Sequence, residues 1–121
     1  MGRRSRQRQK LSDSPAASAP TTDYADAEGN VLTLRGALTP AARSEYAAVL
    51  QGGLNQEDAW QRATELLFER LAVSWTIAGL PTSRQNELLT RFRVASAAER
   101  RFVRDSLRAH VTENFPELQA P

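Results

Sequence analysis

Residues 59–78 constrain the fold more than any other part of the chain, because this stretch combines length with dense apolar spacing. Its apolar residues recur every three or four positions, which is the spacing of one helix face. Asn55 precedes the stretch as an N-cap, and Gly79 follows it as a helix-ending residue. The sequence therefore predicts a helix over 56–78, buried by neighbouring helices or by a second copy of the chain. The predicted face consists of Trp60, Ala63, Leu67, Leu71, Trp75 and Ala78.

Three further helices are predicted from start signals that precede other apolar-periodic stretches. Thr39 followed by Pro40 is typical of a helix beginning. Two pairs have the spacing of a capping box, Thr82 with Gln85 and Ser96 with Glu99. The predicted fold class is all-α, a small bundle of four helices at about 40–51, 56–78, 83–94 and 97–114.

The part of the chain that precedes these helices divides into two segments. Residues 1–22 contain few large apolar residues and end in a small-residue, Pro-containing linker, so we expect a disordered basic arm and linker. Residues 24–35 contain an alternating apolar stretch beside turn-forming residues, which indicates a short extended segment or hairpin. We expect a single helical domain over 23–118.

Composition excludes most cofactor chemistry. The chain has 121 residues, one His and no Cys, so thiol catalysis, disulfides and multi-histidine metal sites are excluded. No phosphate-cradling glycine motif is present. Ser106 and His110 lie one helical turn apart, but the neighbouring Asp105 points away from His110, so no catalytic triad is expected. We expect no catalytic residue, no metal and no cofactor, and a half-exposed His110.

Charge is distributed in blocks behind the small net charge of +2. The basic arm, residues 1–10, contains Arg3, Arg4, Arg6, Arg8 and Lys10 and no acid. A second block, the arginine row, repeats every fourth position along the last predicted helix as Arg100, Arg104 and Arg108. A row of like charges on one helix face favours a counter-charge. It can come from Glu65 and Glu69 or the acidic stretch 13–28 within the fold, from nucleic-acid phosphates, or from an acidic protein.

These features give two functional hypotheses that share the last helix. In the first, a protein partner, or a second copy of the chain, binds an apolar and basic surface. Its residues are Trp60, Leu67, Leu71, Trp75, Arg100, Arg104 and Arg108. In the second, nucleic acid binds the basic arm and the last helix, including Arg101.

Residues 59–79 (AWQRATELLFERLAVSWTIAG) and 96–118 (SAAERRFVRDSLRAHVTENFPEL) resemble small uncharacterised proteins of high-GC actinobacteria, some of them in phage-derived gene neighbourhoods. The resemblance implies an assembly or adaptor role in a phage-like particle. We expect a non-enzymatic protein-interaction module in the cytoplasm, with nucleic-acid binding as the alternative. No membrane association and no small-molecule substrate are expected.

Overall fold

Four helices and one four-stranded antiparallel sheet make up the computed structural model, which describes residues 20–52 and 55–121. The elements in chain order are β1 (Thr21–Ala25), β2 (Val31–Arg35), α1 (Pro40–Gln51), α2 (Gln56–Leu71), β3 (Ala72–Ile77), β4 (Leu80–Thr82), α3 (Gln85–Arg93) and α4 (Ala97–Asn114). The strands lie in the order β1-β2-β3-β4. The fold is therefore α+β, and the prediction of an all-α helical bundle is wrong.

The short extended segment or hairpin predicted near 24–35 is a hairpin, formed by β1 and β2. Asp26 accepts hydrogen bonds from the backbone N–H groups of Glu28 and Asn30, each at 2.9 Å, and Gly29 takes a positive φ of 85°. These contacts close the turn in a conformation that glycine adopts without steric cost. The hydrogen bond from the side chain of Asn30 lowers the pKa of Asp26. Strand β1 begins at Thr21, two residues before residue 23, where the helical domain was predicted to begin.

The predicted helix over 56–78 divides into a helix and a strand. Helix α2 ends at Leu71, because Ala72 leaves helical geometry at φ −69° and ψ 125°. The following strand β3 pairs with β2, which places Trp75 opposite Leu32 and Ala72 opposite Leu34. Four of the six residues of β3 are β-branched or aromatic, which suits a strand.

A bulge in the β2–β3 pairing explains why the sequence pattern resembled a helix. The register shifts between Thr33 and Leu34, so one extra residue of β3 lies between its two buried positions. Ala72 and Trp75 therefore face the core at a spacing of three instead of two. A spacing of three or four is also that of a helix face, so the apolar pattern continues through the end of α2 without a break.

The turn between β3 and β4 holds its two central residues at positive φ, 52° for Ala78 and 79° for Gly79. This is the pattern of a type I′ hairpin turn, in which Asn followed by Gly is preferred. Alanine in the left-handed region is strained, because its Cβ approaches the following carbonyl oxygen. The turn is retained because the N–H of Ala78 donates to the side-chain oxygen of Asn30 at 2.9 Å.

Replacing Ala78 with asparagine is expected to raise the free energy of unfolding by about 0.5–1 kcal/mol, since asparagine tolerates positive φ better. Urea denaturation followed by circular dichroism measures the change. The matched control is Gly79→Ala, which forces a Cβ into the same region of φ and should destabilise the fold. A loss of stability in Ala78→Asn would contradict this description of the turn.

Three of the four predicted helix starts have the expected caps. The side chains of Thr39 and Asn55 accept backbone N–H bonds at the beginnings of α1 and α2. Ser96 and Glu99 form a reciprocal capping box at the beginning of α4. The predicted capping box at residue 82 is wrong, because Thr82 belongs to β4 and α3 begins after Arg84, which makes no side-chain cap.

The helices pack on the face of the sheet that presents Leu32, Leu34 and Trp75. Phe68 of α2 contacts Trp75 edge-on with ring centroids 5.8 Å apart, and stacks on Phe92 of α3 at 4.9 Å. Arg91 lies over the ring of Trp75 at 5.4 Å and pairs with Glu99 at 2.7 Å. That hydrogen bond lowers the pKa of Glu99 and ties the end of α3 to the beginning of α4.

The segment after α4 is held against α1. Phe115 is buried, Glu117 pairs with Arg43, and the hydroxyl of Tyr46 donates to the main-chain oxygen of Gln119. Tyr46 is itself buried in the core. Burial raises the pKa of its hydroxyl from 10.0 to about 12, because a buried phenolate loses its hydration.

The raised pKa of Tyr46 predicts a loss of stability at alkaline pH. Above pH 10.0 the unfolded tyrosine ionises while the folded one stays protonated up to about 12. The folded state then binds more protons than the unfolded state, so the free energy of unfolding falls as pH rises, by about 2 kcal/mol at pH 12. Urea denaturation across this range measures the slope. Tyr46→Phe should flatten it, and an equal slope in this variant would contradict the assignment.

Candidate functional site

An open groove of about 440 Å³ lies between α2 and α4. We call it the α2–α4 groove. Its α2 wall consists of Glu57, Trp60, Gln61, Thr64 and Glu65, spaced as one helix face. Its α4 wall is the arginine row, and Phe92, Arg93 and Pro121 complete the lining. The structure thus brings Trp60 and all three arginines of the predicted surface into one concave site.

The arginine row forms a regular cationic wall. Its three side chains are all exposed, and they recur every fourth residue along α4. A rise of about 1.5 Å per residue separates neighbouring positions by about 6 Å, and the whole row spans about 12 Å. A ligand with acidic groups at that repeat could pair with each arginine.

The three arginines of the row differ in the hydrogen bonds and ion pairs that they make within the fold. Arg100 donates to the main-chain oxygens of Arg93 and Ala95, which fixes its direction without pairing it with a carboxylate. Arg108 donates to the main-chain oxygen of Pro121 at 2.7 Å, and lies 3.7 Å from the carboxylate of Asp105. Within the part of the chain that the structure describes, the guanidinium of Arg104 has no ion-pair or hydrogen-bond partner. The middle of the row is therefore its most available position.

Among the described residues, no acidic side chain of α2 forms an ion pair with the arginine row. Glu65 pairs with Arg93 at 2.7 Å, and the hydrogen bond between them raises the pKa of the Arg93 guanidinium. Glu69 lies near the same arginine and contributes to that shift. The described part of the acidic stretch, residues 20–28, forms no ion pair with the arginine row. Of the internal counter-charges expected from the sequence, Glu65 and Glu69 therefore interact with Arg93.

The apolar part of the groove is supplied by Trp60 and Phe92. Trp60 is half-buried and packs against the core, so one part of its indole remains accessible. Phe92 is held by its stack on Phe68, and the guanidinium of Arg100 lies 5.9 Å from its ring centroid. Aromatic rings beside arginines provide apolar area and cation–π partners for a ligand.

Three residues predicted for the partner-binding surface lie instead in the core. Leu67, Leu71 and Trp75 are 1%, 0% and 1% exposed. The end of α2 and the change to β3 turn these side chains toward the sheet and the other helices. Of the four apolar residues predicted for the partner-binding surface, Trp60 is the one that lines the groove beside the arginine row.

Ser106 and His110 are both buried on α4, and His110 lies against the sheet. His110 is 0% exposed, so the prediction of a half-exposed His110 is wrong. Its Nε2 lies 2.8 Å from the main-chain oxygen of Arg35, which requires a proton on Nε2. The hydroxyl of Tyr24 then donates to Nδ1 at 2.9 Å, and burial raises the pKa of Tyr24. This imidazole joins β1 and β2 to α4.

The predicted nucleic-acid residues are distributed differently. Arg3, Arg4, Arg6, Arg8 and Lys10, and most of the arm and linker predicted over 1–22, lie outside the described residues. Arg101 is exposed on α4 and does not line the α2–α4 groove. It therefore offers a matched control for substitutions in the arginine row.

Glu57, Arg93 and Pro121 line the groove, although the sequence predicted none of them as part of a site. Glu57 is a first-turn acid of α2, and Arg93 lies in the last turn of α3, so both fit helix-end electrostatics. Pro121 reaches the groove because the segment after α4 folds back. No signal in the sequence indicated this fold-back.

Neither a candidate metal centre nor a membrane-spanning helix is found among the residues that the structure describes. Across residues 20–52 and 55–121, no three His, Asp or Glu side chains gather as they would to hold a metal ion. In the same ranges, every helix is too short or too polar to cross a membrane.

The chain matches no protein-family model, no curated protein and no solved structure.

Proposed function

We propose that this protein is a non-enzymatic interaction module that binds an acidic segment of a protein partner in the α2–α4 groove. The observation that carries the proposal is the cationic wall centred on Arg104, whose charge has no carboxylate partner among the described residues, beside the accessible edge of Trp60. Trp and Arg are the residues most enriched among those that dominate binding energy at protein interfaces.

The facing wall favours a protein over a nucleic acid. Glu57 and Glu65 line the α2 side of the groove. A nucleic-acid backbone is anionic along its whole length, so it would meet these carboxylates as well as the arginines. A peptide can place its acids against α4 and its uncharged side chains against α2.

The proposal includes a cellular role for the interaction module. Its resemblance over 59–79 and 96–118 to small actinobacterial proteins supports an adaptor, assembly factor or structural accessory, in a phage-like particle. The absence of cysteine supports a cytoplasmic location. A second copy of the chain is a weaker candidate partner, because Leu67, Leu71 and Trp75 are buried within one copy.

Fluorescence anisotropy tests the proposal with the full chain and three labelled probes. The probes are an acidic peptide containing leucine, a peptide with lysine at each acidic position, and a single-stranded oligonucleotide. We expect the acidic peptide to bind with a Kd of about 1–100 μM, a modest affinity that suits a short linear segment. The lysine peptide should not bind.

Two outcomes would contradict the proposal. The first is failure of the acidic peptide to bind at millimolar concentration. The second is tighter binding of the oligonucleotide, with affinity falling steeply between about 50 and 200 mM salt, which would favour the nucleic-acid hypothesis. A full-length variant with the five basic residues of the arm changed to glutamine shows whether the arm carries the binding.

A further inference from the structure

The two walls of the α2–α4 groove differ in chemistry along their whole length. The α4 wall presents the arginine row, whereas the α2 wall presents Trp60, Gln61 and Thr64 between the carboxylates of Glu57 and Glu65. A ligand that contacts both walls must therefore carry acids on one side and uncharged side chains on the other. This requirement limits the conformation as well as the composition of the ligand.

An extended peptide meets the requirement with a simple alternating sequence. Successive side chains of an extended chain point to opposite sides, and alternate residues lie about 6.6 Å apart. The arginines of the row lie about 6 Å apart, so three acids at alternate positions span about 13 Å against the 12 Å of the row. The intervening side chains then face Trp60 and its neighbours on α2.

A helical peptide with acids at every fourth residue would match the same repeat. A helix with its side chains is about 10–12 Å across, so it would lie on the open groove with one face. An extended chain instead turns successive side chains toward the two walls, which uses the acidic and the apolar contacts together.

We infer that the α2–α4 groove binds an extended peptide segment in which acidic and apolar residues alternate, with the acids on the arginine row and the apolar residues against Trp60. This inference rests on the proposed function, because it specifies the partner of the same site. Arg104 pairs with the central acid, since it is the arginine that the fold leaves without a described partner.

Peptides of one composition and different order test the inference on the full chain. The first probe is Glu-Leu-Glu-Ala-Glu-Leu, and the second is Glu-Glu-Glu-Leu-Ala-Leu, which has the same charge and apolar content without the alternation. The third is a helix-stabilised peptide with glutamate at every fourth position. We expect the alternating probe to bind at least ten-fold more tightly than either of the others, measured by isothermal titration calorimetry.

The outcomes separate the inference from the proposed function. Equal affinity for the first two probes would overturn the alternating register while leaving an acidic-segment site in place. Tighter binding of the helical probe would overturn the extended conformation. No binding of any probe would contradict the proposed function itself. Trp60→Ala adds a control: it should weaken the alternating probe about ten-fold and bring its affinity close to that of the block probe.

Discussion

Replacing Trp75 with alanine is expected to lower the free energy of unfolding by about 3–5 kcal/mol, which is a large fraction of the stability of a small domain. The side chain is 1% exposed and lies where β3, α2 and α3 meet. Its ring contacts Phe68 edge-on, and Arg91 lies over its face. Alanine would leave a cavity beneath the sheet and remove the aromatic surface on which Arg91 rests.

Chemical denaturation followed by circular dichroism measures the effect, and Trp60→Ala is the matched control. Trp60 is half-buried at the edge of the core, so its loss should cost only about 1–2 kcal/mol. The two substitutions should also differ in their effect on peptide binding, because Trp60 lines the groove and Trp75 does not. A change of less than about 1 kcal/mol in Trp75→Ala would contradict its place in the core.

Reversing the charge of Arg104 is expected to weaken binding of the acidic peptide by about ten- to a hundred-fold. Arg104→Glu removes a charge-assisted hydrogen bond, worth about 1.5–3 kcal/mol, and places a carboxylate beside the acids of the ligand. The fold should tolerate the change, because the side chain is exposed and like-charged arginines lie one turn away on both sides. The free energy of unfolding should stay constant or rise by a few tenths of a kcal/mol.

The control for this prediction is Arg101→Glu, which changes the net charge by the same amount on the same helix. Arg101 is exposed and does not line the groove, so its reversal should change the affinity less than three-fold or so. Anisotropy titrations of both variants against the acidic peptide make the comparison. Equal losses would mean that the overall charge of the chain, and not the groove, determines binding.

Local signals predicted much of the fold. The caps at Thr39, Asn55 and Ser96 lie where the side-chain oxygen can accept a backbone N–H, and each begins a helix. The turn after Ala25 was predictable for a similar reason, since Asp26 and Gly29 close it with local contacts. Signals of this kind depend on a few neighbouring residues and need no knowledge of the rest of the chain.

The sheet depended on contacts between distant residues, and the sequence pattern did not report them. The bulge in β3 gives Ala72 and Trp75 a spacing that a helix would share, so the end of α2 had no periodic signal. What decides in favour of a strand is the edge of β2, some forty residues earlier, which offers backbone partners to β3. Strand preference depends on this kind of context more than helix preference does.

The candidate site was predicted only in part, because some of its features belong to one helix and others depend on contacts between distant residues. The arginine row is a property of one helix, so its repeat could be seen in the sequence. The pairing of Glu65 with Arg93 depends on how α2 and α3 pack, as does the opening beside Trp60. The apolar face predicted for protein contact was mostly core, because a stripe that binds a partner and a stripe that packs inside have the same periodicity.

Nuclear magnetic resonance of the ¹⁵N-labelled full chain tests most directly whether the α2–α4 groove binds an acidic segment. The chain contains two tryptophans, so its two indole N–H signals report separately on the groove and on the core. On addition of the alternating acidic peptide, we expect the indole signal of Trp60 and the backbone signals around Arg104 to shift, while the indole signal of Trp75 stays in place. Shifts confined to the basic arm, or no shifts at millimolar peptide, would contradict the account.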